Sequence, residues 1–342
     1  MQLEKPETRN KTINLLIIKK RSKPKPSVVY KTYWRFAAER QNVFFKRLNG
    51  EVHPWSEDSI LNLYKFTNVY RAADRVSQYL IKNVIYKGDQ SPNEIFFRTI
   101  LFKIFNRIST WEFLEDELED ISFKNYSFKK YDKLLTELMC NQIPIYSAAY
   151  IMASGRSTFG FERKHQNHLK LIEKMVKEKV THRLQYCDSM ESAYKLFLSY
   201  PTIGEFLAYQ YVTDINYSPL TGFSEMEFVK AGPGAKDGIA KCFVDFGDYS
   251  FEDIIKMMTD NQESEFEKLG LDFNTLWGRK LQLIDCQNIF CEVGKYSRVA
   301  HPDISGYSNR IRIKQKFSIE PTKSIEFYFP PKWKINHLIR KK

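Results

Sequence analysis

The fold is decided by the segment Leu198-Ser199-Tyr200-Pro201-Thr202-Ile203-Gly204-Glu205-Phe206-Leu207-Ala208. An apolar helical pattern ends here, a tight Pro-x-Ile-Gly turn follows, and a second helical pattern begins after the glycine. Such a turn points backbone N–H groups outward at the start of a helix, where they can hold a phosphate. Glycine allows that approach because it has no side chain. The segment predicts a helical hairpin with Thr202, Ile203 and Gly204 as phosphate-binding residues, although an ordinary corner between two helices remains the alternative.

Helical periodicity extends on both sides of this hairpin. Apolar residues recur at spacings of three and four, which is typical of amphipathic helices. The predicted helices cover residues 29–48, 69–84, 127–141, 161–184, 190–198, 203–214, 251–261 and 281–296, with two more opening after Ser56 and Ser91. Residues 309–317 alternate strictly and predict a strand that carries Arg310, Arg312, Lys314 and Lys316 on one face, which 325–329 could join.

The resulting fold class is mainly α with a small C-terminal β-strand element, and the hairpin resembles that of a helix-hairpin-helix DNA glycosylase-like helical fold. We expect a basic N-terminal arm or linker over 1–28, a helical domain over 29–305, and a C-terminal strand with a basic tail over 306–342.

The chain is basic, which favours a polyanionic partner. Its 53 Lys and Arg residues outnumber its 41 Asp and Glu residues, giving a net charge of +12. Neutralisation of phosphates supplies most non-specific affinity for nucleic acid, so DNA is the expected partner. The five cysteines are scattered without metal-ligand spacing, so we expect neither a metal nor a cofactor. Without a secretory pattern or a long apolar run, the expected location is the cytoplasm.

The hairpin resembles the helix-hairpin-helix motif of DNA glycosylases, usually written L-P-G-x-G-x-x-x-A, with Thr202 where that motif prefers glycine. That superfamily places a catalytic aspartate downstream, at the start of the next helix. Glu225 falls next to this place, and Glu227 follows two residues later. A carboxylate could stabilise the cationic sugar of base excision and activate water. Asp285, set among apolar residues, is the rival to Glu225, and each of the three could instead have a structural role.

Two further groups of residues are candidates for DNA contact. Gly232, Gly234 and Lys236 form a glycine-rich segment whose backbone amides suit phosphate, although a simple interhelical loop is the alternative. The second group lies at helical spacing near Trp34, Tyr70 and Tyr79, and it could line a pocket for a base or could be an ordinary solvated face. Its members are Asn68, Arg71, Asp74, Arg75 and Gln78.

A closer resemblance covers about residues 30 to 305. The segments concerned are Thr67–Leu80, Ile203–Ala235, Phe266–Trp277 with Gly278, and Leu281–Pro302. They resemble the alpha-glutamyl/putrescinyl thymine pyrophosphorylase family, also described as the 5-hydroxymethyluracil DNA kinase helical domain. The resemblance implies a glycosylase-like helical fold and a role with hypermodified phage DNA. Some members are phage enzymes that process modified thymines, and others resemble bacterial antiphage glycosylases that remove glucosylated hydroxymethylcytosine.

These observations leave three hypotheses for the function. The preferred one is an antiphage DNA glycosylase that flips and excises a modified pyrimidine, such as glucosylated hydroxymethylcytosine, and leaves an abasic site. The alternatives are a phage enzyme of thymine hypermodification, acting in a pyrophosphorylase or transferase step, and a non-catalytic helical DNA-binding module. The expected partner in each case is double-stranded DNA with modified bases, without a membrane, and the oligomeric state stays open.

Overall fold

A computed structural model describes residues 21–318 and 326–339 of the chain. The protein is mainly helical, as the sequence predicts. The α-helices are α1 (Val28–Leu48), α2 (Ser59–Leu63), α3 (Arg75–Tyr79), α4 (Pro92–Phe105), α5 (Ile108–Glu117), α6 (Phe128–Cys140), α7 (Arg156–Phe159), α8 (Lys164–Lys177), α9 (Val180–Gln185), α10 (Met190–Leu198), α11 (Glu205–Ile215), α12 (Pro233–Cys242), α13 (Phe251–Asp260), α14 (Gln262–Lys268) and α15 (Leu283–Ala300). Short 3-10 turns cover Arg71–Ala73, Pro331–Trp333 and Asn336–Leu338, and a π-helical segment covers Leu80–Ile85. Within 21–318 and 326–339, no helix is both long enough and apolar enough to cross a membrane.

The small β element lies at a different place from the predicted one. Strand β1 (Lys25–Pro26) pairs antiparallel with β2 (Phe243–Asp245), so it joins the segment before α1 to the end of α12. Arg21 extends this junction through an ion pair with Asp253, although residues 1–28 were expected to be a linker. Residues 1–20 of that predicted arm lie outside the described residues.

The predicted strand over 309–317 is wrong. This segment makes a single bridge, between Lys316 and Tyr64, next to backbone hydrogen bonds from Lys65 to Gln315 and from Phe317 to Leu63. Alternation is therefore present in the sequence, but the backbone hydrogen bonds that the described residues make to this segment's backbone groups come from the end of α2 and the residues just after it. A strand cannot extend without a neighbour to satisfy its backbone groups. The other predicted strand, 325–329, does not form either: residues 326–329 have irregular backbone, and residue 325 lies outside the described residues.

The helices α12 and α15 cross in very close contact at the centre of the fold. A Cβ atom on Gly238 would lie 1.9 Å from the carbonyl oxygen of Phe290, and one on Gly294 would lie 3.0 Å from the Cα of Gly238. The two backbones therefore touch where both helices carry glycine. This crossing places the start of α12 beside the middle of α15, where Gly234 packs against Cys291.

The quoted segment forms two helices joined by a turn. Helix α10 ends at Leu198, α11 begins at Glu205, and the two helices pack against each other. Thr202 has a φ of +68°, so this residue adopts the left-handed conformation that the glycosylase motif assigns to glycine. Gly204 has a φ of −82°, and a Cβ atom there would meet open space. The surface in front of α11 is thus accessible to a ligand.

Three other predicted helices differ from the structure. The one over 69–84 breaks at Asp74, whose extended backbone separates a 3-10 turn from α3. The one over 161–184 divides into α8 and α9 at Lys179, where φ is +54°. The helix expected to open at Glu225 does not form: residues 223–232 are turn, bend and irregular backbone, and α12 begins only at Pro233. In each case local hydrogen bonds or left-handed residues override the apolar periodicity.

The C-terminal residues 326–339 pack across the helical body. Phe329 is completely buried and Ile335 is 5% exposed. The backbone N–H of Tyr328 donates a hydrogen bond to Oε1 of Gln78, and Phe329 packs against Trp277. This segment therefore forms part of the core rather than a free basic tail.

Candidate nucleic-acid interface

A buried ion network lies behind the hairpin. The guanidinium of Arg71 contacts Oδ1 of Asp214 at 2.7 Å, and the Nζ of Lys103 lies 3.2 Å from Oδ2 of the same carboxylate. Arg71 also donates hydrogen bonds to Gln210 and to the hydroxyl of Tyr217. Burial raises the pKa of Asp214, but the two neighbouring cations outweigh it and hold that pKa below its ordinary value. The network ties α4, α11 and the 3-10 turn at Arg71 together.

Asp285 connects this network to the start of α15. Its carboxylate accepts hydrogen bonds from the backbone N–H groups of Arg71, at 2.8 Å, and Gln282, at 3.0 Å. Burial raises the pKa of Asp285 to about 7, and the charge of Glu225 adds to the shift. The side chain therefore has a clear structural role as a cap, and it is 4% exposed.

We expect Asp285→Asn to change how stability depends on pH. A carboxyl with a raised pKa binds its proton more tightly in the folded state, so it stabilises the fold at low pH. This contribution declines as the pH rises from 3.8, the ordinary value, through about 7. The wild type should therefore lose stability relative to the variant across that range, by up to ~1.4 kcal/mol per pH unit.

The measurement is urea unfolding at several pH values between 4.5 and 8, read as the difference between the two proteins. The comparison with the variant is needed because His168 changes the stability of both proteins in the opposite direction. Burial lowers the pKa of His168 to about 4, so its contribution to the stability of the fold increases as pH rises. Glu227→Gln, the same substitution type at an exposed position, is the control. Parallel curves for wild type and Asp285→Asn would contradict the expectation.

Glu225 is paired rather than free. Its Oε1 lies 2.7 Å from the guanidinium of Arg279, and the two side chains are only 8% and 19% exposed. The same guanidinium carbon lies 3.7 Å from the ring centroid of Trp333, so Arg279 is held between a carboxylate and an indole. Glu227 lies on the surface two residues further along the same loop. The structure thus separates two carboxylates that are close in sequence.

Most of the residues proposed for a base pocket are engaged inside the protein. Asn68 donates to the carbonyl of Ala73, and the backbone N–H of Asn68 donates to Asp74. The Nε2 of Gln78 donates to the carbonyl of Ala72. Arg71 belongs to the buried ion network described above. Arg75, in contrast, is exposed on the surface.

The glycine-rich segment starts α12 and lies beside the hairpin. A Cβ atom on Gly232 would lie 2.7 Å from the ring of Phe206, which is in the first turn of α11. Gly234 packs against Cys291 of α15 in the same way, at 3.0 Å. The starts of α11 and α12 are therefore neighbours, and Lys236 lies near them with its Nζ 5.6 Å from the ring of Phe251. The two predicted phosphate-binding segments lie together.

The cations of the C-terminal segment point outward. Ile313 is 8% exposed, whereas the alternate residues around it are on the surface. These exposed cations are Arg310, Arg312, Lys314 and Lys316. The alternation does not divide apolar from charged side chains, because Ile311 is exposed like the cations and Ile313 is buried.

Sequence reasoning missed several residues of this region. Lys103 stands in the otherwise apolar stretch Ile100–Phe105, and Asp214 stands in the buried helix α11, so a charge inside an apolar pattern was the available signal. Trp333 gave no such signal, because it follows Pro330 and Pro331, where the ordered structure was expected to end.

Comparison with known proteins identifies the family. Residues 27–306 match the family described as 5-hmdU DNA kinase, helical domain. The chain belongs to this family. Among its relatives is a 5-hmdU DNA kinase of Bacillus phage SP10, which is 26% identical over 282 residues, or 77% of this chain and 44% of the relative. The chain thus spans less than half the length of that curated relative. No solved structure matches the chain significantly.

The family corrects the preferred functional hypothesis. The prediction of a DNA glycosylase that flips and excises a base is wrong, since the named relative is a DNA kinase, a transferase rather than a hydrolase. The roles of Glu225, Asp285 and Glu227 in base excision were part of that hypothesis and no longer have a basis. Family membership is confirmed, and the finding agrees better with the alternative, an enzyme of phage thymine hypermodification.

Proposed function

We propose that the chain binds DNA containing 5-hydroxymethyldeoxyuridine and serves the enzymatic modification of that nucleoside. The observation that carries the proposal is the match of residues 27–306 to the helical domain of 5-hmdU DNA kinases. The sequence has no G-x-x-x-x-G-K-[ST] loop. The proposal therefore assigns the acceptor DNA to the described residues and leaves the phosphate donor unassigned.

The charge and surface of the chain support DNA as the partner. A net charge of +12 attracts a polyanion, and four cations lie exposed between Arg310 and Lys316. The adjacent starts of α11 and α12 add backbone N–H groups at positive helix ends, which favour phosphate. In this proposal Thr202, Ile203, Gly204, Gly232, Gly234 and Lys236 contact the DNA backbone.

We expect the protein to bind a duplex with one 5-hydroxymethyldeoxyuridine about two- to tenfold more tightly than the thymidine duplex, as one additional hydrogen bond would contribute ~0.5–1.5 kcal/mol.

The double variant Arg312→Gln/Lys314→Gln should lower the salt dependence of log Kd by a slope of about 1–2, at ~0.9 per phosphate contact. Gly204→Val should weaken binding to both duplexes, because a branched side chain would occupy the open space before α11.

Fluorescence anisotropy at several salt concentrations measures all of these effects. The matched control is Lys174→Gln/Lys268→Gln, which removes two surface cations that lie in local ion pairs. Thermal unfolding of each variant confirms that the fold is intact. The proposal fails if the wild type binds neither duplex, and the contact assignment fails if the Arg312→Gln/Lys314→Gln slope equals that of the control.

A further inference from the structure

A cavity of about 590 Å³ that is wide open to solvent lies beside the Glu225–Arg279 pair. Its walls combine two indoles, three cations and an amide, from Trp277, Arg279, Lys280, Gln282, Trp333 and Lys334. The size falls within the range of small-molecule sites in proteins. One wall comes from residues 277–282 and the other from 333–338, and the second wall lies beyond residue 306, where the family match ends.

The first wall is a tight turn in an unusual conformation. Leu276 and Arg279 form a bridge, and between them Trp277 and Gly278 both have positive φ, +51° and +88°. A bulky aromatic residue rarely adopts this conformation, and such outliers concentrate at binding sites. Tyr70 fixes the turn, because its hydroxyl donates to the carbonyl of Arg279 and accepts from the N–H of Leu276. The turn thus presents Trp277 and Arg279 from a rigid base.

The second wall is held against the first by charge and stacking. Trp333 lies over the guanidinium of Arg279, and Lys334 follows it with a φ of +55°, so its backbone reverses at the rim. The Nε of Arg279 is buried and has no hydrogen-bond partner among the described residues. Glu225 balances one charge of Arg279, and Glu263 pairs with Lys280 at the surface. Lys334 adds a further cation at the rim of the cavity.

We propose that this cavity binds a nucleotide, with the base against an indole and the phosphate against the cations of the rim. Aromatic side chains bind bases of any sequence through their faces, and a groove of cations follows the phosphates. The assignment rests on the proposed function, since the nucleotide would be either a free mononucleotide or an unpaired residue of the bound DNA. Both sources present the same chemistry to the cavity.

Tryptophan fluorescence of the full chain tests the proposal. The probes are 5-hydroxymethyldeoxyuridine monophosphate and a short single-stranded oligothymidylate, each titrated into the wild type and into two variants. Trp333→Ala removes a stacking surface, and Lys334→Asn removes a cation while keeping a residue type that tolerates positive φ. We expect quenching in the wild type, with Kd raised about tenfold or more in Trp333→Ala, because stacking of one base contributes ~1–3 kcal/mol. Lys334→Asn should raise Kd severalfold and weaken its salt dependence.

The matched control is Trp55→Ala, which removes another half-exposed indole, one that lies outside the cavity. Saturable binding of the mononucleotide supports a free ligand as the source, and binding of the oligonucleotide alone supports a DNA residue. Failure of both probes to bind the wild type overturns the proposal, as does an equal Kd in Trp333→Ala and Trp55→Ala. Either failure leaves duplex binding measurable by anisotropy, so it is distinguishable from failure of the proposed function.

Discussion

Gly238→Ala is expected to destabilise the protein by about 3 kcal/mol or more, at the upper end of what overpacking costs. The added Cβ atom would lie 1.9 Å from the carbonyl oxygen of Phe290, and that oxygen belongs to the backbone of α15 rather than to a movable side chain. Helices α12 and α15 would have to separate along their crossing. Urea unfolding followed by circular dichroism measures the change in the free energy of unfolding.

Gly204→Ala provides the control for this substitution. The chemical change is the same, but the added Cβ atom meets open space and φ is −82°. Gly204 precedes α11, where exchanging glycine for alanine changes stability by less than ~1 kcal/mol. If Gly238→Ala were as stable as Gly204→Ala, the close crossing of α12 and α15 would be wrong.

The second large effect is expected at Asp214. Asp214→Asn keeps the size of the side chain and removes the charge that balances Arg71 and Lys103, both of which are buried. Breaking a buried ion pair in this way costs ~3–5 kcal/mol, because a charge remains without compensation in a poorly solvated site. Thermal or urea unfolding at pH 7 measures it, with Glu191→Gln as the control.

Glu191 forms an ion pair with Lys195, and the two side chains are 51% and 68% exposed. Loss of this pair should therefore lower the free energy of unfolding by less than ~1 kcal/mol. The Asp214→Asn variant should also regain stability as pH rises, since burial lowers the pKa of Lys103 and the lysine can lose its proton. A variant as stable as Glu191→Gln would show that Arg71 and Lys103 need no counter-charge.

The sequence predicted the helical class and the turn between α10 and α11, because local signals determine both. Apolar spacing defines the two helices, and Pro201 with Gly204 marks the turn between them. The family resemblance was also within reach of the sequence, since its segments are long and ordered. The activity was not within reach of the sequence, because a hairpin with a nearby carboxylate is compatible with several classes of DNA-modifying enzyme. In the structure, Glu225 forms an ion pair with Arg279.

The remaining features depend on contacts between distant residues. Gly238 reads as an ordinary helix-weakening residue until Gly294 and Phe290 are placed against it. The alternating segment around Ile313 predicted a strand, because a sequence shows alternation but does not show whether a partner strand exists. Trp333 has no local signal, since its contact with Arg279 joins residues 54 positions apart.

The packing of residues 326–339 bears on where the folding unit ends. The family match stops at residue 306, yet Phe329 and Ile335 are buried as deeply as residues of the central helices. A polypeptide ending at that boundary would remove Phe329 from Trp277 and Trp333 from Tyr217, and the Oε1 of Gln78 would lose the N–H of Tyr328. The packed body thus extends beyond the family match, because residues 326–339 contribute buried side chains to the same core as the helices.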